Sequence, residues 1–226
     1  MTKFLASIKN EYEALEVRKA NIDIIDLKAI NDGALGFVGK NIMTNVRQLL
    51  SSHTISVTIG NDKNPNNCTT INNIKYAISS RIDYIKIGLF ENKYVHEHHK
   101  LLQKIDFQNT NPICVMFADK EFNLEVAKKI SSIGYKGIMI DTCNKNGIST
   151  TQLLPNHLIE EFVRQMKKRN IFCGLSGSLN FSDIKKLKSL NPDFLGFRGL
   201  VCINGNDRDE ISLDLLNQVS LEIAKH

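Results

Sequence analysis

The sequence of 226 residues has no tryptophan, only four prolines and no long apolar run. No stretch approaches the ~18 consecutive apolar residues that a membrane-spanning helix needs. The opening residues, MTKFLASIKNEYEA, become polar too early to form the hydrophobic region of a secretory signal. We therefore expect a cytoplasmic protein that does not interact with a membrane.

Cysteine pairs of the kind found in disulfide frameworks and zinc sites are also missing. The five cysteines are an odd number, are widely spaced and include no CxxC pair. Cys114 and Cys173 lie inside the apolar runs ICVMF and IFCGL, where a small buried thiol packs well. We expect reduced thiols, no disulfide and no metal bound by cysteine.

A strong excess of charge of one sign is absent as well. The chain has 29 Lys and Arg against 24 Asp and Glu, a net charge of +5, and its lysines are scattered. This pattern favours a solvated basic surface over a nucleic-acid-binding face, so no nucleic-acid partner is expected. The segment YVHEHHK contains His96, His98 and His99 but no evident further ligand, which favours a solvated helix face over a metal site.

What the sequence does contain is a regular alternation of two patterns. Short apolar or β-branched runs predict strands at 3–7, 22–28, 54–60, 83–89, 112–118, 137–141, 171–177 and 193–199. Segments with helical periodicity lie at 9–20, 41–51, 69–80, 94–104, 121–132, 155–169, 180–190 and 210–225. Eight strands alternating with eight helices predict an α/β protein, a single (β/α)8 TIM-barrel domain over residues 1–226. A doubly wound sheet is disfavoured because no glycine-rich fingerprint follows the first strand.

Charged residues interrupt several of these runs near their carboxyl ends, where barrel enzymes carry their active sites. In NIDIIDLKAI, Asp26 and Lys28 are two residues apart and so point to the same side of strand two. Lys86 has a similar place in strand four, in IDYIKIGLF. Asp141 ends strand six, and Lys145 follows in DTCNKNG. The sequence therefore predicts five charged side chains on one rim of the barrel.

Two interpretations of these lysines differ in chemistry. A lysine at a strand end can extend to water and pair with a nearby aspartate, but this explains two converging lysines less well. A neutral lysine instead attacks a carbonyl to form a Schiff base, and burial or a neighbouring cation favours the neutral amine. Lys28 and Lys86 would act on each other in this way, whereas Asp26 favours the charged form of Lys28 or orients its amine. The sequence leaves this balance open.

The loops after strands seven and eight predict an anion site. GLSGSLN leads from strand seven into a helix, and GFRGLVC closes strand eight. Barrels commonly hold phosphate with these two loops and a helix N-terminus. Ser176, Gly177 and Ser178 would offer backbone N–H groups, and Arg198, followed by Gly199, would fork onto the phosphate oxygens. The alternative is that the glycines only form tight turns.

Taken in order, DIIDLKAINDGALG, DYIKIGL, GIMIDTCNKNG, GLSGSL and GFRGLVC resemble the (5-formylfuran-3-yl)methyl phosphate synthase family of methanofuran biosynthesis. The resemblance covers nearly the whole chain. It implies a TIM barrel that condenses two molecules of glyceraldehyde 3-phosphate into a furan aldehyde phosphate, with loss of water and one phosphate. It further implies that Lys28 forms the Schiff base, that Lys86 accepts a proton, and that Asp26, Asp141 and Lys145 complete the site. Lys86 and Asp141 are then the expected proton-transfer pair.

Several further expectations follow from this resemblance. Two substrate molecules require a second phosphate site, for which Lys145 and Arg208 are candidates, and the role of Asp119 after strand five is left open. The expected partner is a triose phosphate, no cofactor is required, and a homo-oligomer is compatible with the sequence. One alternative is another class I aldolase acting on sugar phosphates, which would give an acyclic product. A second is a non-catalytic barrel that binds a sugar phosphate, which would have no use for an amine at an aldehyde.

Overall fold

The computed structural model describes residues 1–204 and 208–225. Parallel strands pair in chain order, and the first also pairs with the eighth, so that the sheet closes into a barrel. The strands are β1 (Lys3–Ile8), β2 (Ile24–Leu27), β3 (Ile55–Thr58), β4 (Tyr84–Leu89), β5 (Asn111–Phe117), β6 (Gly137–Asp141), β7 (Phe172–Leu175) and β8 (Phe194–Phe197). Each lies within one residue of a predicted run. The eight predicted strands and the TIM-barrel fold are confirmed.

Helices surround the barrel between consecutive strands. In the described part of the chain they are α1 (Glu11–Val17), α2 (Lys40–Leu49), α3 (Cys68–Ser79), α4 (Val95–Lys104), α5 (Leu124–Ile130), α6 (Thr150–Leu153), α7 (Asn156–Lys168), α8 (Phe181–Ser189) and α9 (Leu213–Ala224). All but α6 overlap a predicted helix. The sequence did not predict α6 or the 3-10 turns Asn92–Tyr94 and Gly199–Val201, because a single turn is too short to show a periodicity.

The shell between strands and helices is apolar. Cys114 and Cys173 are buried there, as predicted, and all five cysteines are free thiols. Across the described residues, every helix is too short or too polar to cross a membrane.

Side chains inside the barrel are stacked in layers. At the shear usual for this fold, about 8, alternate strands contribute residues two register positions apart to a common layer. In this register a lower layer consists of Asp26, Lys86, Met139 and Gly196, and an upper layer of Lys28, Gly88, Asp141 and Arg198. Apolar side chains close the barrel beneath them, among them Leu5, Ile24, Ile113 and Phe194. The polar layers therefore face the carboxyl-terminal rim.

The opposite, amino-terminal rim carries a repeated carboxylate contact. An aspartate immediately precedes three of the four even-numbered strands and accepts a hydrogen bond from the backbone N–H of the preceding odd strand. The pairs and their N···O distances are Asp23 with Phe4 at 2.8 Å, Asp83 with Ile55 at 2.8 Å and Asp193 with Cys173 at 2.6 Å. In each pair the aspartate N–H also donates to the carbonyl of the same partner. Each contact therefore fastens an odd strand to the even strand that follows it.

The pair β5–β6 departs from this pattern. At the equivalent position the N–H of Lys136 donates to the carbonyl of Pro112, at 3.0 Å. Proline has no N–H, so a carboxylate at position 136 would have no donor on that partner. Position 136 therefore carries a lysine at the place where a carboxylate would find no N–H donor.

Candidate active site

A cavity of about 690 Å³ opens at the carboxyl-terminal rim. It extends down to the lower polar layer and is walled by the loops after β6, β7 and β8. The residues predicted to take part in catalysis or phosphate binding all line it: Asp26, Lys28, Lys86, Asp141, Lys145, Ser176, Gly177, Ser178, Arg198, Gly199 and Arg208. The structure therefore brings the two predicted lysines and both predicted phosphate loops to one site.

Lys28 follows β2 directly, and its side chain is buried, with 4% of the residue exposed. Its Nζ lies 3.7 Å from Asp141 Oδ2. Burial lowers the pKa of Lys28 to about 7, with further lowering by Lys145 and Arg208, while Asp141 and Asp26 act in the opposite direction. A substantial fraction of the amine is neutral at physiological pH, as a nucleophile requires.

The ion pairs at the site differ from those that the sequence predicted. Lys86 Nζ lies 2.8 Å from Asp26 Oδ1, in the layer beneath Lys28. Asp26 thus binds Lys86 and not Lys28, its neighbour in sequence. The cation that acts on Lys28 most strongly is Lys145, not Lys86. Asp141, expected to transfer protons with Lys86, is instead in contact with Lys28 and with Lys145, the latter at 3.2 Å.

Asp26 is held by hydroxyl groups from both neighbouring strands. Its Oδ1 accepts a hydrogen bond from Ser56 Oγ at 2.7 Å, and its Oδ2 accepts one from Ser7 Oγ at 3.0 Å. Both serines stand opposite Asp26 in the strand register, on β3 and β1. Sequence analysis missed them. The available signal was a polar residue in each flanking strand, next to a buried carboxylate.

Asp141 is a fixed negative charge between two lysines. Burial alone would raise its pKa, but Lys145, Lys28, the Thr142 N–H and Lys86 together lower it below the ordinary value. The Thr142 N–H donates to Oδ1 at 2.7 Å. Asp141 is therefore ionised at neutral pH, and it can stabilise a cation but not donate a proton.

Arg198 has a different partner from the predicted phosphate. Its Nη1 and Nη2 fork onto the two carboxylate oxygens of Glu13, at 2.6 and 2.9 Å. The remaining N–H groups donate to the carbonyls of Ser7, Arg208 and Asp209. These contacts use all five donors of the guanidinium. In this structure the guanidinium forks onto Glu13 and not onto the predicted phosphate, and Glu13, a residue of α1, was not among the predicted site residues.

The loop after β7 has two residues in the left-handed region of backbone conformation. Gly177 and Ser178 have φ values of +96° and +50°. A Cβ on Gly177 would lie 2.5 Å from Thr150 Oγ1 and 2.8 Å from the backbone N of Thr142, so only glycine fits. Among the described residues, no protein acceptor pairs with the N–H of Gly177 or Ser178. These N–H groups can bind an anion in the cavity.

The histidine segment is not a solvated face throughout, contrary to the prediction. His98 is fully buried, and its Nδ1 lies 2.5 Å from the Tyr135 hydroxyl. Burial lowers its pKa to about 4, so the ring is neutral. Within residues 1–204 and 208–225, no group of three or more His, Cys, Asp or Glu side chains is placed to hold a metal ion.

Comparison with known proteins gives one consistent result over nearly the whole chain. The family model described as 4-HFC-P synthase matches residues 4–220. A Methanosarcina acetivorans protein named (5-formylfuran-3-yl)methyl phosphate synthase is 27% identical over 232 residues, covering 97% of this chain and 98% of that protein. An Archaeoglobus fulgidus protein of the same name is 25% identical over 213 residues, covering 88% and 90%. Phosphoribosyl anthranilate isomerase from Thermus thermophilus has the same fold, with a TM-score of 0.68 at 9% identity, covering 99% and 98%.

Proposed function

The chain belongs to the 4-HFC-P synthase family, and we propose that it is a (5-formylfuran-3-yl)methyl phosphate synthase of methanofuran biosynthesis. In this reaction two molecules of glyceraldehyde 3-phosphate condense to a furan aldehyde phosphate, and the enzyme is a carbon–oxygen lyase acting on phosphates. The observation that carries the proposal is that Lys28 lines the cavity and is buried, with its pKa lowered by burial to about 7, so that it provides a neutral amine. The cavity of about 690 Å³ lies within the usual range for ligand pockets, about 300–1,000 Å³.

Lys28 is the nucleophile of this mechanism. Its neutral Nζ attacks the carbonyl carbon of one triose phosphate, a C–N bond forms, and the carbonyl oxygen leaves as water. The resulting iminium is positively charged and withdraws electrons from the neighbouring carbon, whose proton becomes acidic. Asp141 Oδ2, 3.7 Å from Nζ, supports that positive charge.

Lys86 and Asp26 form the proton-transfer unit. Lys86 Nζ and Asp26 Oδ1 are 2.8 Å apart, so a proton passes from the ammonium to the carboxylate within this contact and leaves a neutral Lys86 amine. That amine then removes the acidic proton of the iminium, and the resulting enamine carbon forms a C–C bond to the aldehyde carbon of the second triose phosphate, whose oxygen takes up a proton from the pair. The same pair returns protons as water and phosphate are expelled, and hydrolysis of the C–N bond by water frees Lys28. Ser7 and Ser56 fix the carboxylate during these steps. This assignment replaces the Lys86–Asp141 pair that the sequence suggested.

The two phosphates are bound on different walls of the cavity. The backbone N–H groups of Gly177 and Ser178, with Gly199 after β8, receive the first phosphate, at the place where barrels commonly bind one. The side chains of Lys145 and Arg208 also line the cavity and supply positive charge for the second. Arg198 contributes indirectly, through its bonds to the backbone of Arg208 and Asp209.

The test is incubation of the purified protein with glyceraldehyde 3-phosphate. We expect furan absorbance and release of inorganic phosphate, and borohydride should trap a triose adduct on the Lys28 peptide. Lys86→Ala should still give the adduct but form on the order of 10²–10⁴-fold less furan. Lys100→Met, an exposed lysine of α4 paired with Glu97, is the control.

The outcomes separate the alternatives. An acyclic product that retains both phosphates would identify an aldolase, and binding without turnover would identify a sensor. Trapping that is unchanged in Lys28→Met would refute Lys28 as the nucleophile.

A further inference from the structure

The loop after β6 is held in place by two carboxylates. Three successive backbone N–H groups in it donate to carboxylate oxygens, those of Thr142, Cys143 and Asn144. Asp141 Oδ1 accepts the first, at 2.7 Å. Asp119, in the short loop after β5, accepts the second with Oδ1 and the third with Oδ2, each at 2.6 Å. The next residue is Lys145, so the backbone that carries this lysine is fixed immediately before it.

We propose that Asp119 is a positioning residue, which fixes Lys145 beside Lys28 by holding the loop after β6. Asp119 is not among the described residues that line the cavity, so it acts through Lys145 and not on substrate. Its two bonds are short and charge-assisted, the stronger class of hydrogen bond. With the loop held, the Lys145 side chain folds back to Asp141 Oδ1 at 3.2 Å and to the carbonyl of Thr142. The inference rests on the proposed role of Lys28 as the reacting amine.

If Asp119 positions Lys145, removal of Asp119 should shift the pKa of Lys28 in a direction that a merely structural role does not predict. The charged groups facing Lys28, from β2, from β6 and its loop, and from the loop after β8, are Asp26, Asp141, Lys145 and Arg208. Lys145 lowers the pKa of Lys28 more than Arg208 does. Loss of the Asp119 charge alone would lower that pKa further, because a negative charge is removed. Release of Lys145 would raise it, so the two effects have opposite directions.

The experiment measures the neutral fraction of Lys28 without substrate. Acetic anhydride labels neutral amines, and peptide mass spectrometry gives the labelling rate of Lys28 from about pH 5 to about pH 10. In Asp119→Asn we expect the midpoint to move upward by about half a pH unit, so that labelling at pH 7 falls roughly twofold. Asp193→Asn is the matched control, since Asp193 accepts the Cys173 N–H at the same 2.6 Å on the opposite rim. Its midpoint should equal that of the wild type.

A second substitution tests whether Asp119 acts through Lys145. Lys145→Gln should also move the midpoint upward, and adding Asp119→Asn to it should leave the midpoint unchanged or slightly lower, because only the direct loss of the Asp119 charge remains. A midpoint that is unchanged or lowered in Asp119→Asn would overturn the proposal, as would a further upward movement in the double variant. If Asp119→Asn does not fold, Asp119→Glu displaces the carboxylate by one methylene and carries the same test. Because no substrate is present, failure of the proposed reaction cannot be mistaken for failure of this inference.

Discussion

At the amino-terminal rim of the barrel, Asp23, Asp83 and Asp193 accept hydrogen bonds from the backbone of a neighbouring strand. At the carboxyl-terminal rim, Asp26 and Asp141 bind lysines beside a cavity. A carboxylate that binds a backbone N–H satisfies a group that every strand must pair. Burying an ammonium costs desolvation free energy. A carboxylate that binds it only offsets this cost, so the pair adds little to the stability of the fold. The same side chain therefore stabilises one rim and prepares chemistry at the other.

Arg198 shows that position on a rim does not settle the role by itself. It lies in the upper layer with Lys28, yet its fork onto Glu13 ties β8 to α1. The role of a charged side chain depends on which groups it binds. All five donors of Arg198 are used by protein, whereas the Lys28 amine faces the cavity and is available to substrate.

The largest effect that separates the rims is expected for Lys28→Met. Furan formation should fall by 10³-fold or more, on the order seen when a nucleophile is removed. The free energy of unfolding should not fall, because the variant no longer buries an amine. Since folding lowers the pKa of Lys28 from 10.5 to about 7, the unfolded chain binds more protons between these values, and wild-type stability rises with pH across that window. Urea denaturation at pH 7 and pH 9 should show this rise in Lys100→Met and less of it in Lys28→Met.

Arg198→Ala should behave as a structural change despite its place at the cavity. Removal of one partner from a buried ion pair costs on the order of 3–5 kcal/mol, because the Glu13 carboxylate is left without its cation. Urea denaturation measures the loss, and Glu13→Ala combined with Arg198→Ala should lose less. A raised KM with unchanged stability would show instead that the guanidinium leaves Glu13 to bind phosphate.

Asp193→Ala should lower stability and leave turnover unchanged. The Cys173 N–H loses its carboxylate acceptor, a change worth about 1–3 kcal/mol. For a chain of this size each kcal/mol corresponds to about 2–4 °C in Tm. Calorimetry and the furan assay should be run on the same preparation, and a loss of kcat at temperatures where the variant is folded would contradict the division between the rims.

Activity should depend on pH through Lys28, which lies in the upper layer. Because the neutral form of Lys28 reacts and its pKa is about 7, kcat/KM should fall about tenfold for each pH unit below that value. The profile of Asp193→Asn should overlay the wild type, since that residue is on the other rim. A profile that is flat down to pH 5 would mean that the reacting group is not this amine.

The smallest expected effect is at the place where the repeated contact is missing. Lys136→Asp should change stability by no more than about 0.5 kcal/mol, because Pro112 offers no N–H to the new carboxylate. Pro112→Ala supplies that N–H, so adding Lys136→Asp to Pro112→Ala should stabilise by about 0.5–1.5 kcal/mol relative to Pro112→Ala alone. Equal effects of Lys136→Asp in both backgrounds would show that the contact at this rim is not what holds the strand pairs.

The sequence was sufficient for features that depend on short-range patterns. Strand alternation and the carboxyl ends of the strands placed Lys28, Lys86 and Asp141 on one rim, since each of these follows from a few neighbouring residues. The partners were not predictable in the same way. Lys86 binds Asp26 because of the barrel's shear, and Arg198 binds a glutamate 185 positions earlier in the chain. His98 was misassigned because its burial depends on Tyr135, 37 residues away, and not on the pattern of its own helix.

Each aspartate–backbone contact at the amino-terminal rim joins residues that are close to each other in the sequence. Donor and acceptor are separated by 19, 28 and 20 residues in the three pairs. Each contact therefore lies inside one strand–helix–strand segment, about a quarter of the barrel. If the part of a gene that encodes such a segment is duplicated, each copy keeps its own aspartate–backbone contact. A barrel assembled from four copies would therefore have these contacts at its amino-terminal rim from the start. The third such segment, with Pro112 and Lys136, shows that the donor and the acceptor can both be absent from one quarter while the barrel still closes.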